Sequence, residues 1–376
     1  MANIKKLKEN TVKLVKLEDV CYNGSSSLSQ KDIIMLEGKY PVYGASGLIK
    51  YINFYKYDKE YIAIVKDGAG IGRTMILPAN SSVISTLQYI FPKENINIRY
   101  LYYALNAMDL SKYYSGVTIP HIYFKDYKKE ELYLPIIDEQ INIVNKLDKI
   151  REIIDIRKKQ IEELDEIIKS QFVEMFGDVR KNDKNWKYTT LGKECFLNPK
   201  KSELKNMNEN FEVSFVAMPS VSENGNIDTS IIKKYDDVKK GFTYFAENDV
   251  LFAKITPCME NGKGAVAVGL KNKIGFGSTE FHVLRPKENI NSVWLYTLTA
   301  MKSFRIEAER KMTGSAGQKR VPISFFKTYN LGLPPITLQN QFADIVKQID
   351  KQKFEIQKSL EETQKLQESL MNKYFG

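Results

Sequence analysis

Two kinds of apolar pattern alternate along the chain, and each occurs twice. From residue 143 onward, positions spaced alternately four and three apart read Ile143, Leu147, Ile150, Ile154, Arg157, Ile161, Leu164, Ile168, Gln171 and Met175. Lysines and glutamates fill the flanks, and neither proline nor glycine interrupts, which predicts a long helix with a coiled-coil seam. A weaker seam follows near the C-terminal end: Val346, Ile349, Lys353, Ile356, Leu360, Thr363, Gln367, Leu370 and Tyr374. An exposed helix of this length is marginal alone and must cover its apolar stripe. The nearest cover is the matching helix, which predicts an antiparallel pair closed by Ile143, Leu147, Ile150, Ile154, Ile161, Leu164 and Ile168 against Ile349, Ile356, Leu360 and Leu370. The competing reading is an ordinary surface helix packed on a domain.

Between these helices the pattern changes. Short β-like runs, such as Tyr61-Ile62-Ala63-Ile64-Val65 and Val250-Leu251-Phe252-Ala253, alternate with glycine-rich turns. Residues 98–108 and 292–301 read as amphipathic helices. The globular parts are therefore α+β or mixed α/β, with no strand order implied. The predicted organisation is a first domain over 1–137, a first helix over 138–178, a second domain over 179–337 and a second helix over 338–376.

The two halves are copies. Leu17-Glu18-Asp19-Val20-Cys21 is echoed by Leu191-Gly192-Lys193-Glu194-Cys195, and Pro92-Lys93-Glu94-Asn95-Ile96-Asn97 recurs unchanged as Pro286-Lys287-Glu288-Asn289-Ile290-Asn291. Each hexapeptide follows a Ser-Thr pair (Ser85-Thr86, Ser278-Thr279) and precedes a Leu-Tyr pair (Leu101-Tyr102, Leu295-Tyr296). Ile119-Pro120 leads to Phe124-Lys125 as Val321-Pro322 leads to Phe326-Lys327. Leu-Pro steps follow at Leu134-Pro135 and Leu333-Pro334, then Gln140 and Gln341, and both helices end in Phe-Gly. The conserved order makes the whole a pseudo-twofold internal repeat.

Charge sharpens this division. The net charge of +10 over 376 residues is concentrated in 1–137 (18 Lys+Arg against 13 Asp+Glu) and 179–337 (25 against 16). Residues 138–178 carry 7 against 11, and 338–376 carry 6 against 6. Two basic blocks separated by non-basic ones suit two surfaces for a polyanion, although basic excess also serves solubility. With 43% hydrophobic and 27% charged residues the composition is that of a folded soluble protein. No apolar stretch reaches the roughly 18 residues that cross a bilayer, so no membrane role is expected. Residues 1–10 carry lysines without a following apolar run, which gives no expectation of a secretion signal. Three cysteines (Cys21, Cys195, Cys258) without close pairing fit a reducing cytoplasm and no disulfide or zinc framework. Two histidines, His121 and His282, leave few metal ligands or general bases. No metal or cofactor site is expected in this chain.

Two basic domains on paired helices form an object able to read two separated half-sites. A helix of about 33 residues spans about 50 Å, against about 34 Å for one duplex turn. Because the two globular sequences differ, the half-sites should differ, giving an asymmetric split target.

Specific strings now point to a family. Lys39-Tyr40-Pro41-Val42-Tyr43-Gly44-Ala45-Ser46-Gly47 resembles the signature near the start of target recognition domains in specificity subunits of type I restriction-modification enzymes. Thr313-Gly314-Ser315-Ala316-Gly317-Gln318-Lys319-Arg320-Val321-Pro322, running on to Leu333-Pro334-Pro335 and Gln341, resembles the end of such a domain entering its helix. The first repeat departs here: Ser115-Gly116-Val117-Thr118-Ile119-Pro120 lacks the Gln-Lys-Arg element. The resemblance covers the whole chain in the order domain, helix, domain, helix. It implies double-stranded DNA as target, with two modification subunits carrying S-adenosylmethionine and two restriction subunits using ATP and magnesium as partners, all in the cytoplasm. The chain itself would be non-catalytic.

Candidate DNA contacts follow. Gly68-Ala69-Gly70-Ile71-Gly72 lacks the helix and ribose-binding acid of a nucleotide loop and reads as a tight turn. Its counterpart is Asn261-Gly262-Lys263-Gly264. Lys66, Arg73, Lys254 and Lys263 around these turns are placed to meet phosphate, or else are plain solvated residues. Gln318, Lys319 and Arg320 form the best cluster of the second domain, since arginine can clasp guanine and lysine serves phosphate. Tyr43 and Ser46 sit in the signature string, with core packing the competing role for Tyr43. Catalytic motifs are wanting: Asn198-Pro199-Lys200 lacks the rest of an amino-methyltransferase tetrapeptide, Glu203-Leu204-Lys205 lacks a nuclease's preceding aspartate, and no P-loop is present. The alternatives left open are the recognition chain of a type IIB-like system, a coiled-coil adaptor, and a fused endonuclease or methyltransferase.

Overall fold

The computed structural model describes residues 13–376 apart from Ala69, Val117, Thr118, Ile119, Lys205, Asn206, Glu209 and Ala316. The lysine-bearing segment 1–10, Ala69 of the glycine turn, Val117 to Ile119 at the first domain end, Lys205 and Ala316 thus lie outside the described residues. The chain divides into two compact units, one of 1–158 with 358–376, the other of 159–357. The boundaries cut through both long helices rather than setting the helices apart from the globular parts.

In the first unit a four-stranded antiparallel sheet runs Cys21–Ser25, Leu87–Pro92, Tyr61–Val65, Thr74–Leu77. Every residue of Tyr61–Val65 is buried, as its unbroken apolar run requires of a central strand covered on both faces. A three-stranded sheet of Gly47–Ile52, Tyr40–Gly44 and Ser82–Val83 lies beyond. Lys13–Lys16 pairs with Glu131–Leu134 at the entrance to the helix Ile137–Phe176.

The second unit repeats this frame. Its sheet runs Cys195–Leu197, Phe281–Pro286, Val250–Ala253, Gly264–Val266, and Lys187–Thr190 pairs with Asn330–Leu333 before the helix Ile336–Phe375. Its other sheet has four strands: Ile232–Lys234, Glu212–Val216, Ile274–Gly277 and Thr243–Ala246. The halves therefore share one sheet and differ in the other.

The repeated hexapeptide explains its own retention. Cys21 pairs with Pro92 and Cys195 with Pro286 in the same register. Both thiols are buried, and desolvation pushes each up to about 12. Asn97 caps the helix Ile98–Ala107 by accepting from the amides of Arg99 and Tyr100, and Asn291 caps Ser292–Ala300 by accepting from Val293 and Trp294. A fully buried glutamine ties each hexapeptide to its long helix. Gln140 donates to the carbonyls of Asn95 and Pro135 and accepts from the Asn97 amide. Gln339 does the same with Asn289, Pro334 and Asn291.

These bonds correct the alignment of the repeats. The partner of Gln140 is Gln339, five residues beyond Pro334 as Gln140 is beyond Pro135; Gln341 is exposed. The amides of Ile122 and Val321 bond the carbonyls of Lys66 and Lys254, so Val321-Pro322 answers Ile122-Tyr123 rather than Ile119-Pro120. Likewise the amides of Lys66 and Lys254 bond the carbonyls of Thr86 and Glu280, displacing Thr279 from the expected Ser-Thr match. The slips, of one to three residues, arise because loops between the shared elements differ in length between the halves: the hexapeptides superpose at a shift of 194 and the Leu-Pro steps at 199.

Within each unit the two long helices run antiparallel. In the second, Lys353 binds Asp165 at 2.5 Å, and further along Phe172 packs edge-on against Phe342. In the first, Arg157 donates to the Ser359 carbonyl and the Thr363 hydroxyl, while Ile143 and Leu147 share a core with Leu370, Met371, Tyr374 and Phe375. Of the expected seam, Ile143, Leu147, Ile150, Ile154, Ile349 and Leu360 are buried, whereas Ile161, Leu164, Ile168, Ile356 and Leu370 are half-buried. The seam shifts by one residue at the end of the first helix. Phe172 and Phe176 are buried there while Gln171 and Met175 are only half-buried, because a 3.6-residue helix drifts off a 3.5-residue repeat and this end meets a domain core.

Replacing Gln339 by leucine leaves the half-buried Asn291 amide without its acceptor. The expected loss is about 1–3 kcal/mol, measured as a lower urea midpoint for unfolding of the full chain; an unchanged midpoint would mean that the tie is dispensable.

Candidate nucleic-acid interface

Each unit presents two loops at matched positions, one leaving the shared sheet and one lying between helices. After Tyr61–Val65 the chain turns through Lys66 to Arg73, and after Val250–Ala253 through Lys254 to Lys263. The amide of Val65 bonds the Arg73 carbonyl as that of Ala253 bonds the Lys263 carbonyl. Arg73 and Lys263 are therefore equivalent, as are Lys66 and Lys254. Gly72 and Gly262 precede them with φ of 83° and 87°, where a side chain would be strained.

The second loop of each unit closes on a short two-residue bridge. Ser115 and His121 exchange both backbone hydrogen bonds at 2.8 Å, and Thr313 and Arg320 do so at 3.0 and 2.8 Å. The Gly68 amide bonds the Pro120 carbonyl as the Thr256 amide bonds that of Lys319. Pro120-His121 thus stands where Lys319-Arg320 stands. The Lys-Arg part of the element has a positional counterpart in the first unit, but one of different chemistry.

Side-chain environments sort the candidate residues. Arg73 donates to the Ala45 carbonyl, which brings it beside exposed Ser46. Tyr43 is half-buried against the core of the smaller sheet, and desolvation raises its phenol above the ordinary value, so its ring serves packing. The Lys66 ammonium lies 4.0 Å from Asp67, whose other oxygen meets His121 Nδ1 at 2.7 Å. In the second unit Gln318 and Lys319 are exposed at the loop end, and Lys254 and Lys263 are half-buried. Arg320 is not free. Its Nε and Nη2 clasp the Glu280 carboxylate at 3.0 and 2.9 Å, and its Nη1 donates to the Gln318 carbonyl at 3.0 Å. That pair holds the Glu280 carboxyl below the usual carboxylate range.

Arg305 was not foreseen. It is buried, lies over the Phe252 ring at 4.1 Å, and donates to the carbonyls of Thr299, Met259 and Gly262. Burial lowers it to about 10, yet it stays charged at neutral pH and pins the turn that carries Lys263. Nothing in the local sequence marks it, because its partners are backbone carbonyls, one six residues away and two more than forty residues away. His121 and Glu280 did carry a signal. The shift that superposes the hexapeptides sets Glu280 on Thr86, and the shift that superposes the Leu-Pro steps sets Arg320 on His121.

The duplicated frame has relatives among known proteins. The family model described as type I restriction modification DNA specificity domain matches residues 9–166 and 183–367. The chain belongs to this family. Among curated relatives, the specificity subunit of type I restriction enzyme EcoAI from Escherichia coli is 40% identical over 193 residues, 50% of this chain and 32% of that protein. The EcoEI specificity subunit from the same organism is 43% identical over 157 residues, 41% of this chain and 26% of that protein. The matched stretch thus spans about a third or less of those relatives' length. The S subunit of a type I restriction-modification system from M. genitalium covers 98% of both chains with a TM-score of 0.59 at 16% identity. A second structure, concerned with complex assembly and conformational transition of the type I R-M system, gives 0.54 at 16% identity over 97% of this chain. These neighbours share the fold. Among the described residues no helix is long and apolar enough to cross a membrane.

Arg305→Met is expected to leave the Thr299 and Gly262 carbonyls without their guanidinium donor, while the Met259 and Lys263 carbonyls keep backbone partners, at a cost of about 1–3 kcal/mol. Amide hydrogen exchange should quicken in 256–263 while Tyr61–Val65 stays protected; equal protection of the turn in both proteins would deny Arg305 its pinning role.

Proposed function

We propose that this chain is the sequence-reading subunit of a type I restriction-modification system, with double-stranded DNA as its target. Each unit reads one half of an asymmetric, bipartite site. The observation that carries this reading is the duplicated frame with basic loops at matched positions: Lys66 and Arg73 in one unit, Lys254, Lys263 and Lys319 in the other. Phosphate contacts from such residues fix register, while side chains that differ between the units supply base discrimination. The unlike second sheets, three strands against four, agree with unlike half-sites.

The chain performs no bond chemistry in this scheme. Modification subunits bring S-adenosylmethionine, restriction subunits bring ATP and magnesium, and the paired helices with their adjoining surfaces receive them. A type IIB-like recognition chain would use the same geometry with other partners. An adaptor binding duplexes without sequence preference is the contrasting reading, and it would show equal affinity for all duplexes with steep salt dependence.

Exchanging residues 1–137 for the corresponding segment of another family member tests the modular reading. In cells that also express the modification subunit, methylome sequencing should report one altered half of the methylated motif and one unchanged. Alteration of both halves, or of neither, contradicts one domain reading one half.

A further inference from the structure

The loop closed by Thr313 and Arg320 is held far more firmly than a solvated loop needs to be. Gly314 and Gly317 adopt φ of 125° and 78°, and a Cβ on Gly314 would sit 2.8 Å from the Gln318 carbonyl oxygen. The Gln318 amide bonds the Ser315 carbonyl, and the Lys319 carbonyl is taken by Thr256. Arg320 then adds three restraints at once: its backbone bridges Thr313, its Nη1 holds the Gln318 carbonyl, and its Nε/Nη2 edge is filled by Glu280. A bidentate guanidinium–carboxylate pair is directional as well as strong. An arginine whose two-donor edge is already filled cannot offer that edge to guanine. What the brace leaves exposed is the pair of side chains it positions, Gln318 and Lys319.

The first unit braces the matched residue by another route. His121 occupies the Arg320 position, and its Nδ1 meets Asp67 at 2.7 Å. The carboxylate comes from the residue after Lys66, at the place of Ile255, rather than from the place of Glu280. Two unrelated residue pairs thus answer one mechanical demand in one chain. A surface charge placed merely for solubility has no reason to be tethered twice.

We infer that Arg320 and Glu280 are positioning residues: their fork fixes the 313–320 loop so that Gln318 and Lys319 meet the DNA, and Arg320 itself reads no base. This rests on the DNA-reading function proposed above. It assigns Arg320 a role opposite to the one its sequence context suggests.

The test selects bound duplexes from a randomised pool with the full chain, then compares affinity for an enriched duplex and a scrambled one. Glu280→Ala, Arg320→Ala, the double variant and Lys319→Ala are read in parallel. Each brace variant should lower discrimination about tenfold, on the scale of one mismatched base pair. The double variant should lose no more than either single one, because both remove the same fork. Base preferences should fade in one half-site only, the retained half confirming a folded chain. Lys319→Ala should instead weaken binding to both duplexes and reduce the salt slope by about one. Unchanged or tighter binding by Glu280→Ala, with loss in Arg320→Ala, overturns the inference, since an unmasked Arg320 would then be contacting DNA. Losses that add in the double variant, or no loss in either single variant, also overturn it. A wild-type chain that enriches no sequence defeats the DNA-reading function instead.

Discussion

Neither half of the sequence closes its own hydrophobic core, and the rest of the architecture depends on that deficit. The core of the second unit is finished by Phe172 and Phe176, which end the helix that follows the first domain in sequence. The first unit is finished by Leu370, Met371, Tyr374 and Phe375, which end the helix that follows the second. Each core also takes the start of its own helix, through Ile143 and Leu147 in one case and Phe342 and Val346 in the other. Full burial contributes about 1.5–3 kcal/mol for each of Phe172 and Phe176, and the half-buried Leu370, Met371, Tyr374 and Phe375 contribute a part of that. The helices are therefore structural parts of the domains and not detachable spacers.

Polar groups set the helix register that apolar burial alone leaves open. Arg157 against Ser359 and Thr363, and Lys353 against Asp165, sit in seams where leucine would pack as well. Half-buried pairs of this kind stabilise little once desolvation is counted, but a slipped register would leave each charge without its partner. The Gln140 and Gln339 ties act at the other end of each assembly. They join the hexapeptide, the Leu-Pro step and the long helix through three hydrogen bonds per glutamine, so the first turn of the helix cannot pivot against its domain.

Against this rigid and duplicated frame, the variable parts are easily located. The shared sheets coincide down to the pairing of cysteine with proline, whereas the second sheets differ in strand number and the closing loops differ in chemistry. Such a division, a repeated frame carrying unlike loops, follows from loops tolerating change that a packed sheet does not. Cation–aromatic contacts occur on both of these second sheets but differ in closeness: Lys233 lies 3.9 Å over Phe215 in the second unit, whereas Lys39 lies 5.3 Å over Tyr40 in the first, where Tyr55 also meets Tyr40 edge to face.

Periodicity and repetition determined a good deal by themselves. The 4-3 spacing located both helices, because amphipathic burial acts through the 3.6-residue turn and leaves its mark in a single stretch of chain. The repeated hexapeptide betrayed the duplication, because capping and tying a helix require the same residues each time. Charge blocks separated basic domains from non-basic helices. What remained hidden depends on residues brought together from far apart. Glu280 neutralises the arginine that sequence offers as a reader, Arg305 is held by carbonyls that any residue could supply, and Phe172 is buried one position off the seam. Only the folded chain decides such pairings, since they are matters of distance between segments whose separation in sequence carries no periodic trace.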